Sequence, residues 1–434
     1  MKRAHTAFLI AVGDELVTGR QADTNGERLS RWLESLGCDV QSRLFVPDRA
    51  GAVENGVRAA LAARVDVMIL TGGLGPTADD ITRDGLAAGV ELELELDPKA
   101  LETIEHRYRE RGRTLASGAA RQAFRPRGAE WISNPIGTAP GILLKSGRTI
   151  VIALPGVPRE LNEMLDRDVL PLLRRSLAGS VAMKSTSLHV ACLPEAEVDR
   201  RIRETALAAR GVQVTHVAKP GDIEVLLTAR GDSEEDAESA LESAVSELGD
   251  KLGDHLYGAG SDSQVSVLRD LLLEHRWTLG CAESVSGGLL SKRITDLPGA
   301  SSFFLGSLVA YVNSEKRLLL DVSAEQLENF GPISAEVAGA MADGVRRKLG
   351  VDVALATTGI AGPGGGSAEK PVGLTYLAIV WPGGRQITRH TFTGDRKQIR
   401  IWSVTTTLDQ VRRALKGLPP HGEVIERQAG PTRE

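Results

Sequence analysis

The sequence predicts an α/β protein in three parts: a three-layer α/β domain, a small α+β module and a second α/β domain. Three observations carry this. Apolar runs of strand length alternate with helical periodicity from Thr6 to Leu70. The same alternation returns between Gln264 and Leu415. The stretch between them instead places two strands side by side at Lys219-Pro220-Gly221 and follows them with a long helix.

The bulk numbers bound the function. A chain of 434 residues holds two to four domains. Its 42% hydrophobic and 25% charged residues are those of an ordinary globular protein. A net charge of −5 gives no basic field for nucleic acid or anionic membrane, and 4% aromatics leave few stacking platforms. The apolar run Ala7–Val12 is too short for a signal peptide, and no segment has membrane-spanning length. Cys38, Cys192 and Cys281 are few, odd in number and far apart, which fits a reducing cytoplasm and argues against disulfides or a cysteine zinc site. The histidines are scattered without metal-ligand spacing, so carboxylates are the expected ligands for any hard cation.

The first domain spans residues 1–175. Thr6–Val12 reads as a strand ending at Gly13-Asp14-Glu15, and Asp23-Thr24-Asn25 opens a helix with Leu29, Trp32, Leu33 and Leu36 on one face. A strand at Val40–Val46, a helix ending near Ala63 and a buried strand at Val65–Leu70 complete a β-α-β-α-β run, which implies a parallel sheet with helices on both faces. Ligands of such sheets bind beyond the strand C-termini. Two loops fall there: Gly13-Asp14-Glu15, and TGGLGPTADDIT at 71–82. Gly72, Gly73 and Gly75 let backbone approach a phosphate, and Asp79 with Asp80 suits a divalent cation bridging it. The bland alternative for the two aspartates is capping of the next helix. Asp97 and Pro98 start a polar helix expected to run to Arg113, and NPIGTAPGI (134–142) and LPGVPREL (154–161) are further Gly/Pro loops.

The middle module, 176–258, reads as a strand at Lys184–Cys192, a helix at Glu195–Arg210, strands at Val212–Val217 and Asp222–Ala229, and a helix at Ser233–Leu252. GAGSDS at 258–263 reads as a linker.

The third domain, 262–417, is organised around AESVSGG at 282–288. A strand-to-helix turn with Glu283, Ser284 and Ser286 against Gly287 and Gly288 holds a hydroxyl near a helix N-terminus and brings backbone N–H groups toward a developing oxyanion. A capped helix start is the simpler reading of the same residues. A strand at Ser307–Val312 delivers Tyr311, then Asn313 and Lys316, and a strand at Val351–Ala356 ends in the glycine-dense TTGIAGPGGG, 357–366. Gly394–Leu415 reads as the closing helix, with Arg396 and Arg400 on one face. No histidine lies in these loops, which disfavours a Ser-His-Asp triad; the alternative is a Ser–Lys pair, in which a desolvated lysine takes the serine proton. Taken singly, Lys316 would be a surface cation and Tyr311 a core aromatic with a wet tip. Residues 418–434, rich in Pro and Gly, read as a disordered tail.

These motifs resemble the CinA (competence/damage-inducible protein A) family. GGLGPTADDIT, Gly-Asp-Glu-Leu at 13–16, Asp23-Thr24-Asn25, NPIGTAPG and LPGVPRE resemble its N-terminal domain, which is related to the molybdopterin-binding MoaB/MogA fold. The molybdopterin group carries an Arg-Asp pair where Asp79-Asp80 stands, which argues against molybdopterin handling. The resemblance instead implies a metal-dependent ADP-ribose pyrophosphatase. It implies Asp14, Asp79 and Asp80 as ligands of Mg²⁺ or a similar ion, and Asn25, Gly73 and Thr138 as the nucleotide pocket. Ala119 stands where the family has an asparagine. The middle module resembles a KH domain without its Gly-x-x-Gly clamp, which implies a spacer and dimerisation module of a homodimer rather than a nucleic-acid binder.

AESVSGG, PGASSFF, AYVNSEK and GIAGPGGG followed by EKPVG resemble the C-terminal CinA domain and, with it, the PncC-type nicotinamide mononucleotide (NMN) deamidases. The resemblance implies hydrolysis of the NMN carboxamide to nicotinic acid mononucleotide and ammonia, without a cofactor. Ser284 is the implied nucleophile, Lys316 the general base and Tyr311 a helper in proton transfer. Gly287, Gly288, Ser301, Thr358, Gly359 and Gly364 are the implied substrate contacts, and Arg396 or Arg400 the phosphate contact. Val285 and Ser286 replace the family's cysteine and threonine, which removes the neighbouring thiol and keeps the hydroxyl. The expectation is a cytoplasmic, bifunctional pyridine-nucleotide salvage hydrolase. The alternatives are a competence or DNA-damage protein acting through a recombination-protein partner, and a molybdopterin-binding protein.

Overall fold

The computed structural model describes residues 5–49, 51–110, 112, 118–177 and 182–428. They fall into two compact units, one running to Lys184 with Ala229–Ser239 added, the other comprising Ser185–Thr228 and the chain from Ala240. Most of the middle module therefore belongs to the same unit as the third domain.

In chain order the first unit carries β1 (His5–Val12), α1 (Asp14–Val17), α2 (Thr24–Ser35), β2 (Cys38–Val46), α3 (Ala52–Ala62), β3 (Val67–Thr71), α4 (Thr82–Gly89), β4 (Leu94–Leu96), α5 (Pro98–Glu110), β5 (Phe124–Pro126), β6 (Glu130–Ile132), β7 (Gly141–Ser146), β8 (Thr149–Leu154), α6 (Pro158–Met164) and α7 (Leu170–Ser176). The six-stranded sheet has the order β2-β1-β3-β8-β7-β6. Its first four strands are parallel, as predicted. β7 and β6 are antiparallel additions, because the two-residue turn at Gly147-Arg148 can only return the chain antiparallel.

Side chains alternate across this sheet. Phe8, Ile10, Met68, Leu70, Val151 and Ala153 face one core with Val53, Val57 and Leu86 of α3 and α4. Ala7, Leu9, Val67, Ile69, Ile150 and Ile152 face the other with Leu29 and Leu33 of α2 and Leu161, Met164 and Leu173 of α6 and α7. Burial on both faces makes the three layers. Asp23 caps α2 by accepting from Gly26 N at 2.8 Å. Asp97 caps α5 through Lys99 N and Ala100 N, and residues 111 and 113 of the expected longer helix lie outside the described residues.

The middle module contributes β9 (Ala182–Ala191), α8 (Glu195–Arg203), β10 (Val212–Lys219), β11 (Asp222–Gly231), α9 (Glu234–Leu252) and β12 (Leu256–Ala259), with sheet order β10-β11-β9-β12. The helix expected to reach Arg210 stops at Arg203, and the expected linker begins inside β12, which pairs with β9. Gly260 N donating to Ser187 O at 2.8 Å pins that segment down.

The third domain contributes α10 (Gln264–His275), β13 (Leu279–Glu283), α11 (Leu289–Thr295), β14 (Phe304–Val309), α12 (Asn313–Leu320), α13 (Ala324–Phe330), α14 (Ala335–Leu349), β15 (Val353–Gly359), β16 (Leu374–Trp381), β17 (Gly384–Thr391), α15 (Arg396–Leu415) and β18 (Glu423–Gln428). The sheet order is β14-β13-β15-β16-β17-β18, with β14, β13 and β15 parallel. α14 packs on one face through Val337, Ala338, Met341 and Val345. α10, α11 and α15 cover the other through Leu268, Leu272, Leu290, Ile294, Val404 and Leu408. β14 ends at Val309, so Tyr311 sits in the turn beyond the strand and not within it.

The expectation of a disordered tail over 418–434 is corrected. Glu423–Gln428 form β18 against β17, and 429–434 lie outside the described residues. The Pro/Gly composition concealed specific anchors. Gln410 bonds both the N–H and the C=O of His421, Arg389 pairs with Glu423 at 2.8 Å, and Arg385 with Glu426 at 3.1 Å.

Gly72 tests the close strand-end packing of the first unit. Its φ is 92°, and a Cβ placed there would lie 2.4 Å from Val12 O. Gly72→Ala is expected to destabilise this unit by about 1–3 kcal/mol, read as a lower urea midpoint followed by proteolysis of the first unit. An unchanged midpoint would show that the loop relaxes freely.

Two candidate active sites

The first site lies where β13 runs into α11. Glu283, the last residue of β13, is fully buried. Its carboxylate accepts hydrogen bonds from Gly288 N (2.9 Å), Leu290 N (3.0 Å), Ser291 N (2.9 Å) and Ser307 Oγ (3.0 Å). The orphan donors of the helix start are thus satisfied by Glu283, and Ser284 is released from capping. Gly287 and Gly288 form the turn with φ of 54° and 90°. Their N–H groups donate to Ser284 O and Glu283, so neither is a free oxyanion donor, contrary to the sequence expectation.

The departures from the family motif have packing explanations. Val285 is buried with Ala361 and Ile399 in a small apolar cluster. The Ser286 hydroxyl meets Thr357 Oγ1 at 2.8 Å in a buried pair.

Lys316 lies on α12 and is 2% exposed, not a surface cation. Burial pushes its ammonium down from the usual 10.5 to about 8. Its Nζ donates to Pro332 O at 3.0 Å and Thr358 Oγ1 at 3.2 Å, and Thr358 in turn donates to Pro332 O at 2.8 Å. Thr358 therefore holds the lysine, whereas the sequence reading made it a substrate contact. Ser284 is not among the partners of Lys316 here.

Tyr311 is 54% exposed and is not a core aromatic. Its hydroxyl is 2.6 Å from Arg396 Nη2, and Arg396 Nη1 donates to Gly362 O at 2.7 Å. Arg400 donates to Ser286 O through Nε and Nη2, at 3.2 and 2.6 Å. A Cβ on Gly287 would lie 3.5 Å from Arg400 Nη2 and 3.8 Å from Tyr311 Cε2, so the serine turn, the tyrosine and the arginines meet at one point. Gly359 ends β15 tightly against Leu374 O, while Gly364 is exposed in open space.

Ser301 is not brought to this site. It lies in the Ala300–Ser302 turn that leads into β14 beside Leu279, whereas Ser284 follows the other end of β13. The parallel register separates them by roughly 16 Å of strand. Sequence reasoning passed over Thr357, Ser307 and Pro332, because their parts depend on strand register and a carbonyl that no motif announces.

The second site is a cavity of about 450 Å³ at the C-terminal edge of the first sheet. It joins the loops after β1, β3 and β8 to the 134–140 loop, and of the residues singled out in the sequence Gly73, Asp79, Asp80 and Thr138 line it. Asp14 and Asn25 do not line it. Asn25 Nδ2 donates to Gly156 O at 2.8 Å and so holds a loop, while Asp14 donates to Asp48 Oδ2 at 2.9 Å only through its backbone N–H. Asp80 accepts from Gly75 N, Thr77 N and Thr77 Oγ1 at 2.6–2.7 Å and closes the glycine loop.

Glu15, Asp48, Gln122 and Glu160 also line the cavity; none was singled out as a site residue, although Glu15 and Glu160 lie in loops the sequence marks. Burial raises the Asp48 carboxyl above its usual range, helped by Glu15, Asp14 and Asp79 nearby. Carboxylate oxygens around one cavity are the donor type that a hard divalent cation takes. Gln122 is fully buried, donates to Thr138 Oγ1 at 3.3 Å and leaves Oε1 without a partner. That oxygen can accept from a ligand amine.

Among the described residues, no helix is long and apolar enough to cross a membrane. Comparison with known families matches residues 8–175 to "Probable molybdopterin binding domain", 185–258 to "Damage-inducible protein CinA KH domain" and 262–415 to "CinA C-terminal domain". A CinA-like protein of Dictyoglomus thermophilum is 38% identical over 410 residues, 94% of this chain and 99% of that one. A CinA-like protein of Geotalea uraniireducens is 38% identical over 94% of this chain and 97% of its own. A solved CinA structure from Thermoplasma acidophilum, of unknown function, covers 40% of this chain and 98% of its own at 33% identity and a TM-score of 0.37. With its molybdopterin-binding-like domain, KH module and C-terminal domain all in place, the chain belongs to the CinA family of competence/damage-inducible proteins.

Proposed function

We propose that this protein is a bifunctional nucleotide hydrolase that deamidates NMN in the third domain and cleaves ADP-ribose in the first. The observation that carries the first activity is the buried Lys316, with its ammonium held near pH 8, at the same sheet edge as Ser284. Ser284 Oγ attacks the carboxamide carbon and its proton passes to the neutral lysine. The tetrahedral intermediate expels ammonia, which takes up that proton. Water then hydrolyses the acyl ester and releases Ser284. To act as this base, Nζ would have to give up its bond to Pro332 O. The unused N–H groups of Arg396 and Arg400 are available to the nucleotide phosphate.

For the first domain, the supporting observation is the carboxylate-lined cavity beside a glycine loop. Its negative charge repels a pyrophosphate unless a divalent cation lies between them. Glu15, Asp48 and Asp79 would hold that cation, which supplies charge neutralisation of the pyrophosphate. Gln122 Oε1 suits the amine of an adenine base.

Ammonia release from NMN is expected without added metal and to fall at least about 10³-fold in Ser284→Ala. Release that survives this substitution would exclude Ser284 as nucleophile. The rate should rise with pH through about 8, and Lys316→Arg, which keeps the charge at every accessible pH, should be inactive throughout.

Burial of Lys316 also has a stability consequence. The unfolded chain binds more protons between about pH 8 and 10.5, so the charged lysine opposes folding below that window and the penalty fades as pH rises through it. Lys316→Met is expected to gain up to about 3 kcal/mol of stability at pH 7, a gain that shrinks toward pH 10.5. A pH-independent gain would refute the desolvation argument.

AMP release from ADP-ribose should require Mg²⁺ or a similar ion. Asp48→Asn should lower it by about 10²-fold or more while ammonia release from NMN continues. Loss of both together would show that the substitution unfolds the chain.

A further inference from the structure

α15 is unusual for a helix packed on a sheet. From Ser403 to Arg413 every residue is buried, including Asp409, Gln410, Arg412 and Arg413. Buried charge needs partners, and those of Asp409 come from three separate segments. Its Oδ1 accepts from Arg412 Nε at 2.7 Å, and its Oδ2 lies 2.7 Å from His421 Nε2. The thiol of Cys192 reaches the same place from the end of β9. One ligand atom from each of Cys192, Asp409 and His421 lies within 4.8 Å of the other two, and among the described residues no other such trio of His, Cys or acidic side chains is gathered so closely.

The backbone around Cys192 is built to deliver that thiol. Cys192 has a φ of 54°, a conformation uncommon for a non-glycine residue. Its N–H donates to Gly221 O at 3.0 Å, and its Sγ is 3.6 Å from Thr406 Oγ1 of α15. A second histidine ring packs against that of His421. The His255 ring lies 5.1 Å from the His421 ring, centroid to centroid. Its Nδ1 is 3.1 Å from Ala191 O, so Nδ1 carries the proton and Nε2 offers a lone pair.

We infer that Cys192, Asp409 and His421, with His255 as the fourth donor, form a site for a divalent transition-metal ion of the zinc class. One thiolate, one carboxylate and imidazole nitrogens suit Zn²⁺ and exclude the hard cations that need oxygen alone. Arg412 on the outer carboxylate oxygen acts as the orienting partner that such ligands usually have. Other charges near the site include Arg413 and Asp254, whose nearest atoms are 3.9 Å apart, and Arg201 on the His255 side. Metal entry deprotonates the thiol: the metal–sulfur bond forms and one proton goes to solvent. His421 moves its N–H from Nε2 to Nδ1, freeing the Nε2 lone pair for the metal. The ion would fasten β9, α15 and the 418–421 segment together. It lies about 20 Å along α15 from the Arg396 end, since thirteen residues of helix separate them.

The test uses the full chain, purified without a polyhistidine tag and titrated with Co²⁺ as a spectroscopic substitute for zinc. The expected result is thiolate-to-cobalt charge-transfer absorption in the near ultraviolet, saturating at about one equivalent and displaced by Zn²⁺. Cys192→Ser should lose the band, and His421→Gln should weaken Co²⁺ binding at least about tenfold. The oxygen-lined cavity of the first unit gives no thiolate band, so metal there does not confuse the reading. Absence of the band at excess Co²⁺, or its persistence in Cys192→Ser, overturns the site. Should the serine variant fail to fold, the wild-type protein decides the matter after dialysis against a mild chelator. Retention of about one zinc per chain with a Tm raised by added zinc supports the site, and a metal-free protein with an unmoved Tm overturns it.

Discussion

The buried carboxylate of Glu283 accepts four hydrogen bonds, and the geometry of the third domain's site depends on them. Three come from the first turns of α11 and one from Ser307 of the neighbouring strand. They fix the helix start relative to β13 and β14 at once. With capping assigned to Glu283, the next residue is free to carry chemistry. Its backbone is held by a strand-like bond from Ser284 N to Thr357 O at 3.0 Å and by the turn bond from Gly287 N to Ser284 O at 3.1 Å. Removing the carboxylate would leave several donors unsatisfied in a buried place, which costs more than the bonds themselves contribute.

The two candidate sites treat charge in opposite ways. The third domain takes a cation out of water and so weakens its hold on its proton. The first domain buries the Asp48 carboxyl near other carboxylates, so that it holds its proton more tightly than usual. A lysine so placed suits the role of base proposed for it. A carboxylate so placed suits the proposed metal. Both sit where parallel strands end, because there the loops are free to vary while the sheet keeps its register.

Much of this was legible in the residues. The strands of the first domain appear as apolar runs because both faces of the sheet are buried, and Asp23 and Asp97 announced their helices as N-caps. Glycine-dense loops marked both sites. What was hidden follows one rule: side chains whose roles depend on distant partners carry no local signal. Asp48 and Gln122 reach the cavity from loops with no motif of their own. Thr358 of β15 is claimed by a lysine on α12, and Ser301 is removed from the site by the parallel register of β13 and β14. Composition misled at the C-terminal end of the chain, where Gly and Pro suggest freedom but ion pairs and the Gln410 amide impose order.

That terminal strand bears on how the domain can be cut. The family match ends at residue 415, but β18 runs to Gln428 and covers the outer edge of β17. A fragment trimmed to the family boundary would keep every residue of the serine–lysine site. It would also present the open backbone of β17 to solvent, a template on which another chain can add its own strand. The charged residues of β18, Glu423, Glu426 and Arg427, are what a sheet border needs to stay monodisperse. The last strand is thus the selvedge of the sheet, holding its border closed against association with other chains.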